Sequence, residues 1–167
     1  MLITAFIGWS GCGKTTLVLK VIAELRKRGY RVGAAKFTHH DVRLDTPGTD
    51  SARMRQAGAE QVLLRGPEES ALFLDTLEVS EDGFRNLFTG YDVVIVEGLR
   101  ADWPVTFEIA SGANAYSRLK CSPSELCGLL TDEATVREEA ESDGVAVYPR
   151  TDAMPVVERL VELINAL

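Results

Sequence analysis

The stretch Gly8-Trp9-Ser10-Gly11-Cys12-Gly13-Lys14-Thr15 follows directly after the first apolar run of the chain, Leu2 to Ile7. It matches the pattern G-x-x-x-x-G-K-[ST], in which glycines let the main chain curl around phosphate groups. The helix predicted after it adds its N-terminal N–H groups and partial positive charge. In such a loop the lysine neutralises the outer phosphates and the hydroxyl ligates Mg²⁺. The stretch predicts a nucleotide-binding phosphate loop (P-loop, Walker A) with Mg²⁺ as its companion ion.

The positions of this loop differ in what phosphate chemistry requires of them. Trp9 and Cys12 occupy free positions of the pattern, so neither side chain is required for phosphate binding. The alternative interpretation is a glycine turn that only tightens the packing of strand against helix. The residues predicted to form the cradle are Gly8, Ser10, Gly11, Cys12, Gly13, Lys14 and Thr15.

A second stretch, Asp92 to Gly98, supplies the candidate metal ligand because it has an acidic residue near each end. Asp92 to Val96 is an almost continuous apolar run, which is typical of a strand covered on both faces. Glu97 is predicted just past the carboxyl end of that strand, where ligands bind in open α/β sheets. We expect Glu97 to face Mg²⁺, directly or through water, and Gly98 to let the main chain approach the terminal phosphate. The alternatives for Glu97 are a helix cap or a solvated loop charge, and Asp92 is interpreted as a strand-entry turn residue.

Strand-like and helical patterns alternate along the whole chain. This alternation favours a parallel sheet wrapped by helices. The prediction is a single α/β domain over residues 1–167, a P-loop NTPase-like three-layer domain with a mostly parallel sheet and some antiparallel strands. The predicted strands cover residues 2–7, 31–36, 61–64, 71–79, 92–96, 105–109, 126–130 and 145–148, and the helical patterns cover residues 17–25, 50–56, 80–87, 136–140 and 154–167.

Composition narrows the classes of partner. The 167 residues carry 18 basic and 25 acidic side chains, a formal charge of −7, which disfavours nucleic acid or an anionic membrane as the main partner. No run approaches the roughly 18 apolar residues of a membrane span. Three cysteines without a C-x-x-C spacing fit a reducing compartment, and no leader pattern precedes the first strand. We therefore expect a cytoplasmic protein.

Both histidines lie side by side in the polar stretch from Phe37 to Thr49. Neighbouring side chains of extended backbone point to opposite faces, so His39 and His40 are not expected to share a metal ion. The stretch is longer than the 2–6 residues usual after a strand. It is therefore either a switch or substrate loop beside the nucleotide, or an exposed loop with incidental charges.

Several motifs in the same order resemble one known family. They are Lys36-x-Thr38-His39-His40-Asp41, then Asp45-x-Pro47-Gly48-x-Asp50-Ser51, then Ala57-Gly58-Ala59, together with the phosphate loop and Val96-Glu97-Gly98. Over about the first hundred residues the chain resembles the molybdopterin-guanine dinucleotide biosynthesis protein B (MobB) family. Phe37 departs from the pattern, because the family usually has a further histidine there.

The resemblance implies a GTP-binding protein with weak Mg²⁺-dependent GTPase activity, acting late in molybdenum cofactor biosynthesis. It implies a homodimer that assists a MobA-type guanylyltransferase and related cofactor-assembly proteins, with molybdopterin or its guanine dinucleotide as a further ligand. By position, the nucleotide phosphates would be held by Gly11, Gly13, Lys14, Thr15 and Thr16, and Mg²⁺ by Thr15 and Glu97. The switch-like loop would be lined by Lys36, His39, His40, Asp45 and Asp50.

Catalytic roles are predicted for Lys14, Asp50 and Glu97. Asp50 would orient the attacking water or bind Mg²⁺ through water, or alternatively serve as the N-cap of a helix starting near Ser51. No Asn-Lys-x-Asp string that would read guanine is present. Asp132 either takes that task or caps the following helix.

Two other functional classes stay open at this point. A P-loop kinase for a small molecule or nucleotide would normally need a lid bearing arginines. A non-catalytic adaptor would bind nucleotide only to set its shape.

Overall fold

The computed structural model describes residues 1–38, 40, 42, 44–74, 81–98, 103–112 and 115–167. The strands are β1 Leu2–Gly8, β2 Val32–Lys36, β3 Gln61–Arg65, β4 Ser70–Leu74, β5 Val93–Glu97, β6 Val105–Ile109, β7 Gly128–Leu130 and β8 Val147–Tyr148. The helices are α1 Lys14–Lys27, α2 Asp50–Gln56, α3 Glu81–Leu87, α4 Ala134–Ser142 and α5 Met154–Asn165, with 3₁₀ turns at Tyr116–Arg118 and Pro123–Glu125.

The chain divides into two compact units. The sheet unit comprises Met1–His39 and Phe88–Leu167, and the insert unit comprises His40–Leu87. The predicted element types agree with the observed ones where the structure describes them, whereas residues 75–80 of the predicted fourth strand and third helix lie outside the described residues. The assignment of residues 1–167 to one domain stays a prediction.

The sheet unit is built on six parallel strands in the order β2-β5-β1-β6-β7-β8. From the central strand β1 the chain moves to one side for β2 and β5, and then to the other side for β6, β7 and β8. Such a change of direction opens a crevice at the carboxyl ends of the strands. The phosphate loop follows β1 directly and therefore lies at this crevice.

Helices cover both faces of the sheet. Neighbouring residues of a strand point to opposite faces, so two neighbouring leucines of β7 join different buried clusters. Leu130 joins the buried cluster that contains α1 and α5 residues, whereas Leu129 joins the cluster that contains Val136 and Ala140 of α4. The predicted three-layer α/β fold is confirmed. Within the described part of the chain, no helix has the length and apolar character needed to span a bilayer.

The insert unit contains the antiparallel strands of the fold. β3 and β4 form a two-stranded antiparallel sheet, with Gln61 opposite Leu74 and Arg65 opposite Ser70. Helix α2 packs against β3. This small sheet confirms the expectation of some antiparallel strands in a mostly parallel fold.

Candidate functional site

Glycines set the path of the phosphate loop. Gly8, Gly11 and Gly13 have φ values of 139°, 78° and 93°, a region that side chains rarely adopt. A Cβ atom at position 8 would lie 2.5 Å from the carbonyl oxygen of Ile109 and 3.0 Å from Sγ of Cys12. The first glycine is therefore needed both for its conformation and for its close approach to β6.

Lys14 begins helix α1, and its side chain folds back over the loop. Its Nζ donates to the carbonyl oxygen of Trp9 at 2.7 Å and lies 3.8 Å from Sγ of Cys12. The Cys12 side chain is buried in the main core cluster. The interpretation of Cys12 as a thiol without a role in phosphate chemistry therefore agrees with its packing, while Lys14 stays at the loop surface.

Glu97 lies next to the hydroxyl of the phosphate loop. It is the last residue of β5 rather than the residue after it, because its backbone pairs with Phe6 of β1 and Lys36 of β2. The Thr15 hydroxyl donates to Oε1 of Glu97 at 2.8 Å, and Nζ of Lys36 lies 3.2 Å from the same oxygen. Glu97 is buried, with 9% of its surface exposed, so neither a helix cap nor a solvated loop charge describes it.

The cluster of Thr15, Lys36 and Glu97 has the chemistry of a magnesium site. Mg²⁺ prefers oxygen ligands and is usually bound through one or two protein groups plus substrate phosphates. Thr15 and Glu97 present two such oxygens, and the ammonium group of Lys36 shows that a cation is stabilised there. The residues present therefore fit the ion. Among the described residues, no group of three or more His, Cys, Asp or Glu side chains is placed to hold a metal by itself.

The main chain after Glu97 makes a second close approach. Gly98 has a φ of 137°, and a Cβ atom there would lie 2.1 Å from the carbonyl oxygen of Phe37. The N–H of Phe37 donates to the carbonyl oxygen of Glu97 at 2.8 Å. Gly98 is thus required by the contact with the chain leaving β2, while its predicted role beside the terminal phosphate stays a prediction.

Arg150 is a site residue that the sequence did not reveal. Its guanidinium donates to the carbonyl oxygen of Cys12 at 3.3 Å and to Oδ2 of Asp132, also at 3.3 Å. Its own N–H donates to Oδ1 of Asp132 at 3.0 Å. Arg150 follows β8 and Asp132 follows β7, so both lie at the carboxyl edge of the sheet. The position of Arg150 shortly after a predicted strand is the sequence feature that could have identified it as a site residue.

The alternative in which Asp132 caps helix α4 is wrong. The N-cap position is Glu133, whose N–H is bound by the hydroxyl of Thr131 at 3.1 Å. Asp132 instead forms an ion pair with Arg150. Its carboxylate is therefore used to hold Arg150 at the phosphate loop.

Three further predicted residues, Asp45, Asp50 and His40, belong to the insert unit. The alternative role of Asp50 as N-cap is wrong, because Thr49 caps α2 by accepting from the N–H of Ala52 at 3.3 Å. The Asp50 side chain is 91% exposed and 3.8 Å from Arg53. Asp45 accepts from the hydroxyls of Thr49 and Ser51, at 3.0 and 3.1 Å, and so orders the turn before α2. His40 falls in this unit, and His39 lies outside the described residues.

Thr16 follows Thr15 in the first turn of α1. With Gly13, Lys20, Arg150 and Thr151, it lines a cavity of about 240 Å³ beside α1. The first-turn N–H groups of a helix have no partner within the helix. The cavity thus adjoins the end of the helix that carries Lys14 and Thr15.

Comparison with known proteins assigns the family. The family model described as molybdopterin guanine dinucleotide synthesis protein B matches residues 3–132. The chain is 41% identical over 101 residues to the molybdopterin-guanine dinucleotide biosynthesis adapter protein of Escherichia coli, covering 58% of each chain. It is 43% identical over 98 residues to the protein of the same name from Haemophilus influenzae, covering 57% of this chain and 55% of that one. The matches thus span little more than half the length of these curated relatives.

The fold agrees with that of a solved structure. A crystal structure described as molybdopterin-guanine biosynthesis protein B (mobB) superposes with a TM-score of 0.72 at 23% identity, covering 97% of this chain and 99% of that one. At this identity the likeness concerns the fold. The family model, in contrast, covers more than half of the sequence, including the phosphate loop and Glu97. The chain therefore belongs to the molybdopterin guanine dinucleotide synthesis protein B (MobB) family.

Proposed function

We propose that the protein binds GTP with Mg²⁺, hydrolyses it slowly, and assists the biosynthesis of molybdopterin guanine dinucleotide. The observation that carries the nucleotide part is the convergence of Thr15 and Lys36 on one oxygen of Glu97, next to a loop that ends in Lys14. The family description and the adapter names of the relatives support the biosynthetic part.

Each residue of the cluster has a definable task in nucleotide binding. Lys14 would exchange its bond to the Trp9 carbonyl for the outer phosphates. Thr15 and Glu97 would turn their oxygens to Mg²⁺, and Lys36 would pair with the Glu97 carboxylate when the ion is absent. Bound Mg²⁺ would neutralise charge that develops on the phosphates.

The surroundings of Arg150 support slow hydrolysis. An arginine that reaches the transferred phosphate raises the rate of such enzymes by roughly 10³–10⁵. The guanidinium of Arg150 is bound to Asp132 and to the Cys12 carbonyl instead. We therefore propose a switch-like, weakly hydrolytic protein rather than a rapid enzyme.

The cavity beside α1 is the proposed place of the nucleoside. It adjoins Gly13 and Thr16, and Arg150 and Thr151 supply polar groups at its rim. The preference for guanine over adenine rests on the guanine dinucleotide in the family description. The proposed homodimer and the proposed partnership with a MobA-type guanylyltransferase and its molybdopterin rest on the family resemblance. The proposed cytoplasmic location rests on three cysteines without a C-x-x-C spacing.

Calorimetric titration of the purified protein with GTP and with ATP, each with Mg²⁺, tests the nucleotide proposal. We expect GTP to bind more tightly and release of inorganic phosphate to be slow. The kinase alternative is tested in the same samples, because it requires phosphate to appear on an added acceptor rather than in water. Tighter binding of ATP, or transfer to an acceptor, would contradict the proposal.

Replacing Glu97 with glutamine should lower Mg²⁺-dependent GTP hydrolysis by roughly 10- to 100-fold, the usual effect of disturbing a group that tunes a metal site. The amide keeps the size of the side chain but removes the charge that Thr15 and Lys36 approach. Single-turnover phosphate release measures the effect. Glu162→Gln is the matched control, because that glutamate is exposed on α5. Equal rates for both variants would remove Glu97 from the metal site.

A further inference from the structure

Trp9 is held in a defined position although phosphate binding does not require it. Its indole N–H donates to the carbonyl oxygen of Arg118 at 2.7 Å, yet the residue is 52% exposed. The guanidinium of Arg118 lies 5.2 Å from the ring centroid and the ammonium of Lys120 lies 4.9 Å from it. Cations at such distances are attracted to the face of an indole. In a chain of charge −7, this is a local concentration of positive charge around an exposed aromatic ring.

A cavity of about 370 Å³ adjoins this ring, and we call it the Trp9 cavity. Its lining includes Trp9, Ser10, Glu108, Ser111 and Arg118. A volume in this range suits a small organic molecule, and a few polar groups among apolar walls are typical of ligand sites. All of these residues belong to the sheet unit. The Trp9 cavity therefore combines an aromatic face, cations and hydroxyl groups in one place.

Glu108 provides the acceptor in this cavity. The residue is only 1% exposed, and its carboxylate accepts from the N–H groups of Lys120, at 2.8 and 3.0 Å, and Cys121, at 3.2 Å. These bonds fix the loop that carries Lys120 to strand β6. A carboxylate has about four acceptor positions, so three such bonds leave capacity for a ligand. Burial raises the pKa of Glu108, and the N–H bonds oppose that rise.

We propose that the Trp9 cavity binds a second ligand, a flat aminopyrimidinone ring that carries a phosphate, of the pterin phosphate class. The ring would stack on Trp9 in place of one of the two cations, and its N–H edge would face Glu108. The displaced cation and its neighbour, Arg118 and Lys120, would then meet the phosphate.

This proposal rests on the proposed function, which places the guanine nucleotide on the α1 side of the phosphate loop. A guanine nucleotide shares the aminopyrimidinone edge and the phosphate, so it is the chemical competitor for the same cavity. Because Ser10 lines the Trp9 cavity and Gly13 lines the cavity beside α1, one loop would contact both ligands. The arrangement would bring a pterin phosphate and a guanine nucleotide to two cavities that adjoin the same loop.

The test is calorimetric titration with neopterin monophosphate in the presence of saturating Mg²⁺ and GTP. We expect saturable binding, weaker binding of unphosphorylated neopterin, and no comparable further binding of GMP. Trp9→Ala should lower the affinity for neopterin monophosphate by about tenfold, as loss of a stacking platform does. Trp9→Phe should restore most of the affinity, which shows that the aromatic face and not the folded loop alone is responsible.

Charge variants complete the test. Arg118→Gln and Lys120→Gln should each weaken the binding of neopterin monophosphate several-fold. Arg137→Gln is the control and should leave this binding unchanged, because Arg137 lies on α4 and pairs with Glu141. The proposal would be overturned if GTP or GMP displaced neopterin monophosphate. It would also be overturned if Trp9→Ala bound neopterin monophosphate as tightly as the unaltered protein does. Intact GTP binding without any pterin binding would defeat this proposal alone, whereas failure of GTP itself to bind would defeat the proposed function.

Discussion

Lys14→Ala is expected to weaken GTP binding by at least about thirtyfold while the chain stays folded. Removal of one partner from a desolvated, hydrogen-bonded charge pair costs about 2 kcal/mol or more, which corresponds to that factor. In the structure, the Lys14 ammonium donates to the Trp9 carbonyl and lies 3.8 Å from Sγ of Cys12, so both of these contacts are within the loop. Surface substitutions usually change the free energy of unfolding by no more than about 0.5 kcal/mol. Calorimetry and thermal denaturation measure the two effects separately.

Lys27→Ala provides the control for this variant. Lys27 ends the same helix and pairs with Glu24, with 74% of its side chain exposed. Its removal takes away one positive charge without touching the phosphate loop. If both variants bound GTP equally well, the phosphate loop would not be the nucleotide site.

Gly8→Ala is expected to destabilise the fold by at least about 2 kcal/mol, as strained backbone and overpacking together imply. The added Cβ would meet the Ile109 carbonyl at 2.5 Å and Sγ of Cys12 at 3.0 Å, with φ at 139°. The carbonyl belongs to β6, which pairs with β1, so the neighbour cannot move without disturbing the sheet. For a chain of this size the midpoint of thermal unfolding should fall by roughly 4 °C or more.

Gly29→Ala separates conformation from contact. Gly29 has a φ of 91°, and a Cβ atom there would meet nothing within 4 Å. It should therefore carry only the cost of the backbone conformation, about 1 kcal/mol. A Gly8 variant no less stable than the Gly29 variant would show that the close approach of loop and strand is not required.

The fold could be predicted from the sequence because the patterns that indicate it most strongly lie within short stretches of the chain. A glycine-rich loop after an apolar strand, and the apolar run from Asp92 to Val96, each depend on neighbouring residues alone. The pairing of Asp92 with the N–H of Arg31 at 2.6 Å agrees with its interpretation as a strand-entry residue. These signals were enough to predict a parallel α/β sheet with the phosphate loop at its carboxyl edge.

Two kinds of contact could not be predicted from the sequence. In the first, neighbouring residues compete for one role, and in the second, the two residues lie far apart along the chain. Thr49 and Asp50 are both good capping residues, and only the observed turn shows that the hydroxyl is the one that binds Ala52. Arg150 contacts Cys12 across 138 positions, which requires the whole sheet to be assembled first. The environment of Trp9 likewise requires Arg118, 109 positions away. Sequence patterns therefore located the loop and Glu97, but not Arg150 or the partners of Trp9.

We propose that a nucleotide held by the phosphate loop carries Mg²⁺ between Thr15 and Glu97. The most direct measurement is the dissociation constant of GTP with and without Mg²⁺, for the unaltered protein and for Thr15→Val, which keeps the shape of the side chain but lacks its hydroxyl. We predict that Mg²⁺ tightens GTP binding by about tenfold or more in the unaltered protein, as metal-site contacts usually do, and has little effect in the variant. An equal response to Mg²⁺ in both proteins, or no GTP binding in either, would contradict the account.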